Sequence, residues 1–146
     1  MTYLLDVNVL LALAWPMHVH HGPAQAWFAN HHRSGWATCG VTESGFIRVS
    51  SNRRATPEAR SPGEAAHLLQ RICQLDGHVF LDDAVQLSTQ AEKITAHVHG
   101  SSQVTDAYLI LLARASRTSV VTFDRGVAQL APLLGAETTL LSSEVL

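Results

Sequence analysis

Charge is scarce in this chain: charged residues are 15% of its 146 positions, well under the usual quarter, while 47% are apolar. So thin a charged surface, with aliphatic residues abundant, points to heavily buried elements or an oligomer interface. Long apolar runs are missing as well. Val9–Trp15 and Leu109–Ala113 fall far short of the roughly 20 residues of a bilayer span, and no basic leader precedes an apolar core. The expectation is a cytoplasmic protein that is neither membrane-bound nor exported. Only two cysteines occur, Cys39 and Cys73, in no CxxC pattern and among apolar neighbours. They read as reduced, buried thiols, with no structural zinc site. Lysine is nearly absent, Lys93 being the only one, and the formal net charge of −2 supplies no global attraction to nucleic acid. Any such attraction must be local. Arg48, Arg53, Arg54 and Arg60 cluster in IRVSSNRRATPEAR and suit phosphate contacts, against the plainer reading of a solvated helix end and loop.

What is present is a regular alternation of short strands and helices over one domain, residues 1–146. Tyr3–Asp6 reads as a buried strand, and Asn8 opens an apolar helix that stops before Pro16. Pro23 starts a second helix, with Ala24, Trp27, Phe28 and His31 on one stripe, and the strand WATC follows. Thr42 is expected to cap a third helix beginning at Glu43. Ser61-Pro62-Gly63-Glu64 is a capping-box signature for a helix running towards Gly77, and His78–Leu81 is a third strand. Leu87, Ala91, Ile94 and Val98 make a helix closed by Gly100, and Thr105 caps another that turns Tyr108, Leu111, Leu112 and Ala115 inward. Ser119–Thr122, a short helix Gly126–Leu134 and Thr139–Leu141 complete the series. Five strands with crossovers between them imply an α/β fold: a central parallel five-stranded sheet with helices on both faces.

The acids fall at informative places. Asp6 ends strand one, Glu43 follows strand two and Asp124 follows strand four, and open α/β sheets bind ligands beyond the carboxyl ends of their strands. Asp106 opens a helix, whose N-terminus can face the same edge. Each acid alone has a plain alternative as a turn former or first-turn helix acid; together, four of them in one cleft call for hard cations between their oxygens. Mg²⁺ takes a few carboxylates, waters and a substrate phosphate, which leads to phosphodiester hydrolysis. Other candidates read as structural. HVHH, with His18, His20 and His21, lacks metal-site spacing and reads as a loop; Asp82-Asp83 reads as a helix N-cap; Trp15, Trp27 and Trp36 read as core or interface.

The run YLLDVNVLLALAWP…HVHHGPAQAWF, then TES, VTDAYLILLA and VVTFDRG, resembles the PIN-domain toxins of bacterial VapBC toxin–antitoxin pairs, from Tyr3 to the end of the chain. The resemblance implies a PIN-like three-layer sandwich and an endoribonuclease working with Mg²⁺, for which Mn²⁺ can substitute. It puts Asp6, Glu43, Asp106 and Asp124 at the acidic positions, with Asp6, Asp106 and Asp124 as metal ligands, and makes Asn8 and Thr122 the polar residues that orient the acids. It also implies a homodimer, held inactive by a small VapB-like antitoxin whose tail enters the acidic cleft. Two rivals stand beside it. A haloacid dehalogenase-type phosphatase wants a second Asp two residues after the first, where this chain has Asn8, and a phosphate-clamping lysine, whereas Lys93 lies mid-helix. A catalytically inactive PIN fold that only binds RNA or protein has no use for four acids.

Overall fold

A computed structural model describes residues 1–82 and 84–142. Its five strands are β1 (Tyr3–Leu5), β2 (Trp36–Cys39), β3 (His78–Leu81), β4 (Ser119–Thr122) and β5 (Thr138–Leu140). All pair in parallel, in the order β3-β2-β1-β4-β5. The chain therefore builds outward from β1 in one direction, crosses back, and builds outward in the other. β1 and β4 are neighbours at the point where the winding reverses, and such a switch point leaves a crevice beyond the strand ends because the flanking helices leave on opposite faces.

Side chains alternate strictly across the central strands, so each face buries its own core. Leu5, Trp36 and Val121 pack with Val9, Leu10, Trp27, Phe46 and Leu69, from helices α1 (Val7–Ala14), α2 (His21–His31), α3 (Gly40–Ser50) and α4 (Pro62–Cys73). Leu4, Ala37, Cys39 and Val120 pack on the other face with α6 (Val104–Ser116) and α7 (Arg125–Leu130), while Leu87 and Val98, on either side of the short α5 (Ala91–His97), close its margin. Burial on both faces explains why β4 is buried at every position. Each of the larger side chains removed from water contributes about 1.5–3 kcal/mol. Trp15, Trp27 and Trp36 all belong to the buried set; the indole N–H of Trp15 donates to Ser50 Oγ (3.1 Å) and that of Trp36 to the Asp76 carbonyl (3.0 Å).

Several boundaries differ from the sequence reading. α3 starts at Gly40, directly after β2, and Thr42 sits inside its first turn, where its hydroxyl accepts the Cys39 N–H (2.9 Å). The cap is built from within the helix. Thr105 likewise lies inside α6, because a 3-10 turn over Ser101–Gln103 starts the spiral earlier. α6 buries Ala107 and Leu109–Ala113 on nearly every side, while Ala115 is exposed. The expected helix through Leu87 and Val98 is broken: a 3-10 turn at Leu87–Thr89 gives way at Gln90 to α5, which ends at His97. Asp82 precedes no helix, so it caps none; Asp83 lies outside the described residues. Among the described residues no helix is long and apolar enough to cross a membrane.

Candidate metal centre

Asp6 is placed by the reversal in strand order. Leu5 is level with Val121, so Asp6, just past β1, meets Thr122, the last residue of β4, at the carboxyl end of the sheet, and the Asp6 N–H donates to the Val121 carbonyl (3.0 Å). The carboxylate is then held by both oxygens. Oδ1 accepts the Val7 N–H (2.7 Å), making Asp6 the N-cap of α1, and Oδ2 accepts the Thr122 hydroxyl (2.8 Å) and, at 3.4 Å, the Asn8 amide. Thr122 is itself saturated: its oxygen accepts from Asn8 Nδ2 (3.3 Å) and from the Asp124 N–H (3.0 Å). Asn8 Oδ1 accepts the Phe123 N–H (3.2 Å), which ties the start of α1 to the turn after β4.

Asp124 caps α7, with Oδ1 accepting the Gly126 N–H (2.7 Å), and is exposed. Asp106 lies in the first turn of α6 and is half-buried. These three aspartates feel one another. Burial raises the Asp6 carboxyl above its ordinary value, against the hydrogen bonds from Thr122 and Val7, and the Asp124 charge adds to the rise. Asp106 is pushed up to about 6 by burial first and then by the charges of Asp6 and Asp124. No arginine or lysine pairs with any of the three among the described residues, where the ion pair is Arg60–Glu64. The donor set fits a hard divalent cation, since three carboxylates without a fixed positive partner repel until one is supplied.

Glu43 is turned elsewhere. It lies in the first turn of α3, and its Oε2 accepts the hydroxyl of Thr38, mid-strand on β2, at 2.6 Å. The structure thus gathers Asp6, Asp106 and Asp124 but sets the Glu43 carboxylate beside His78 and Cys73. The same Thr38 oxygen lies 2.8 Å from His78 Nε2, and ligand atoms of Glu43, Cys73 and His78 all fall within 4.8 Å of one another. Burial holds the His78 imidazole below its ordinary pKa against the pull of Glu43, and burial and the Glu43 charge push the Cys73 thiol up. The expectation of two buried thiols holds for Cys39 only, as Cys73 is half-buried.

The sequence reading missed this trio. Cys73 ends α4 and His78 begins β3, and Glu43 joins them only through the pairing of β2 with β3. His20, read from sequence as a loop residue, directly precedes α2. Its ring stacks on Phe123 at 4.3 Å, and its backbone N–H donates to His18 Nδ1 (3.0 Å). Arg48, on the last turn of α3, and Arg53 and Arg54, in the loop after it, are all exposed.

The PIN domain family profile matches residues 3–132, a span that contains all four acids. The chain belongs to the PIN-domain family. Within it the chain groups with the VapC proteins: it is 44% identical over 128 residues to Ribonuclease VapC38 of Mycobacterium tuberculosis, covering 88% of this chain and 89% of that protein. It is equally similar, at 44%, to Ribonuclease VapC39 of that organism, with 88% and 92% covered, and it is 41% identical to Ribonuclease VapC44, with 88% and 89% covered. Among solved structures, VapBC2 from Rickettsia felis, bound to a DNA fragment from the promoter, matches with a TM-score of 0.64 over 97% of this chain and 100% of that one. At 13% identity that is a likeness of fold.

Proposed function

We propose that this protein is a metal-dependent endoribonuclease and the toxin of a type II toxin–antitoxin pair, acting in the cytoplasm and hydrolysing RNA at the crevice between β1 and β4. The observation that carries the reading is the triad Asp6, Asp106 and Asp124 at the switch point, where burial first and then the charges of Asp6 and Asp124 push Asp106 up to about 6. The names of the VapC relatives support the ribonuclease assignment, and the VapBC2 title supports a VapB-like partner.

In this reading Asp6, Asp106 and Asp124 hold Mg²⁺ or Mn²⁺. Glu43 joins as the fourth acid once its carboxylate leaves Thr38. When bound, the cation supplies positive charge against the phosphate and acidifies an attacking water. The residues of the chain do the positioning. Thr122 and Asn8 fix the Asp6 carboxylate in one orientation, and the hydrogen bonds they make leave it little freedom to rotate away. Asp124 is held by its own helix start. Water adds to phosphorus, the bond to the leaving ribose oxygen breaks, and that oxygen takes up a proton.

Arg48, Arg53 and Arg54 bind the RNA backbone, offsetting the repulsion between phosphate and the acids. The antitoxin's tail competes for the acidic crevice, and the working toxin is a homodimer. The test is cleavage of single-stranded RNA by purified protein. Activity should require Mg²⁺ or Mn²⁺, stop in EDTA and return on adding metal; cleavage indifferent to chelation and to Asp6→Asn overturns the mechanism. Replacing any one of the three arginines with Ala should weaken all RNAs alike and reduce the salt slope of binding by about 0.7. An unchanged slope would assign the cluster to a solvated surface or to the antitoxin interface.

A further inference from the structure

We propose that Glu43, Cys73 and His78 form a second cation site, selective for thiophilic divalent ions such as Zn²⁺, which when occupied keeps Glu43 away from the three aspartates it would otherwise join. The case is geometric. Three elements deliver one ligand each: Glu43 from the first turn of α3, Cys73 from the last residue of α4 and His78 from the first residue of β3. Ligand atoms of the three lie within 4.8 Å of one another. Around a tetrahedral Zn²⁺, with bonds of about 2.0–2.3 Å, neighbouring ligand atoms sit roughly 3.3–3.8 Å apart, so about an ångström of side-chain closure completes the cage. Thr38 already draws the group inward, donating to Glu43 Oε2 and lying 2.8 Å from His78 Nε2.

The backbone around the trio is firmly set. Gly77, just before His78, has φ +88°, and a Cβ there would meet the His32 carbonyl oxygen, so the turn tolerates only glycine. Its carbonyl accepts the Trp36 N–H (2.9 Å), the Trp36 indole donates to the neighbouring Asp76 carbonyl (3.0 Å), and the His78 ring packs on Trp36 at 4.7 Å. Only four residues separate Cys73 from His78, so fixing this turn fixes the distance between two ligands.

Donor chemistry separates the two sites. A sulfur, an imidazole nitrogen and one carboxylate oxygen match Zn²⁺ or Co²⁺ and suit Mg²⁺ poorly, whereas three carboxylates suit Mg²⁺. On binding, Cys73 releases its proton and coordinates as thiolate, the His78 ring proton shifts to Nδ1 so that Nε2 exchanges its contact with Thr38 for the ion, and Glu43 supplies the oxygen. The fourth position is left to water.

Co²⁺ is the spectroscopic probe. Titrating the full-length protein should produce a near-ultraviolet thiolate-to-cobalt band that saturates at one ion per chain. Zn²⁺ should displace it, and a large excess of Mg²⁺ should not. Cys73→Ser and His78→Ala should abolish the band, while Cys39→Ala and Asp106→Asn should keep it. No band at saturating Co²⁺, or a band that survives Cys73→Ser, overturns the proposal. Should those variants fail to fold, alkylation of the wild-type protein decides: Zn²⁺ should slow modification of Cys73 by about tenfold or more, because a coordinated thiolate is shielded. An alkylation rate unaffected by Zn²⁺ equally overturns the site.

Discussion

Two groups of ligand-type side chains lie on one sheet and differ in how they are held. The aspartates stand past the carboxyl ends of β1 and β4, each in the turn or first turn of a helix, where free N–H groups accept negative charge. They are all oxygen and mutually repelling. The trio of Glu43, Cys73 and His78 lies one strand over, against β2 and β3, is chemically mixed, and is already drawn together by Thr38. The first arrangement stores repulsion that a hard cation relieves. The second stores little, since Cys73 and His78 are held towards their neutral forms. Stability and activity should therefore respond to different ions at the two places.

The largest effect should fall on cleavage. Asp6→Asn keeps the side-chain shape and removes one ligand charge, so RNA cleavage should drop by about a hundredfold or more while the folded content by circular dichroism stays unchanged. A drop caused by unfolding, or none, would erase the distinction between the sites. Thr122→Val tests positioning at smaller cost. It removes the hydroxyl that holds Asp6 Oδ2 and receives the Asp124 N–H, so Mg²⁺ affinity measured calorimetrically should weaken by about tenfold, with Co²⁺ binding at the trio unaffected.

Why one site is readable in sequence and the other is not follows from where each residue's constraint comes from. Asp6 and Asp124 each sit at a strand-to-helix turn, and such turns show themselves locally, as a hydrophobic run, an acid and a new periodicity. The five strands are visible for the same reason, within about a residue at each end. The orientation of Glu43 depends on Thr38, five residues away on β2, and the nearness of His78 depends on the register that sets Trp36 against it. Register between β2 and β3 is set across some forty residues of chain, and no local pattern reports it. Thr42 and Thr105 mislead in a further way: a residue type that favours caps also serves inside a first turn, and the strand-to-helix junction at Cys39 and the 3-10 turn before α6 start both helices earlier than their threonines indicate.

A smaller effect is expected in the pH dependence of the metal-free protein. Asp106 titrates at about 6 in the folded state against 3.8 ordinarily, so between these values the folded chain holds a proton that the unfolded chain has lost. The cost of burying the charge, with repulsion added to it, is fully felt above about pH 6 and is relieved as pH falls towards 4; Asp6, also raised, acts in the same direction. In EDTA, stability should rise by about 1 kcal/mol over that fall, a modest value because Asp106 is half-exposed and screened, until other acids begin to protonate. Urea midpoints at stepped pH measure it, and a midpoint that falls steadily from pH 6 downwards would mean the acids are not in conflict.

The most direct test of the central claim, that Asp6, Asp106 and Asp124 form one cation centre, is calorimetric unfolding of wild type and Asp106→Asn with EDTA and with Mg²⁺. Removing one of three repelling charges should raise the EDTA melting temperature by about 2–4 °C, corresponding to about 1 kcal/mol for a domain of this size. Mg²⁺ should stabilise the wild type by binding only its folded form, and should stabilise the variant less. A variant that melts lower in EDTA, together with Mg²⁺ shifting neither protein, would make Asp106 an ordinary helix-start acid and contradict the centre.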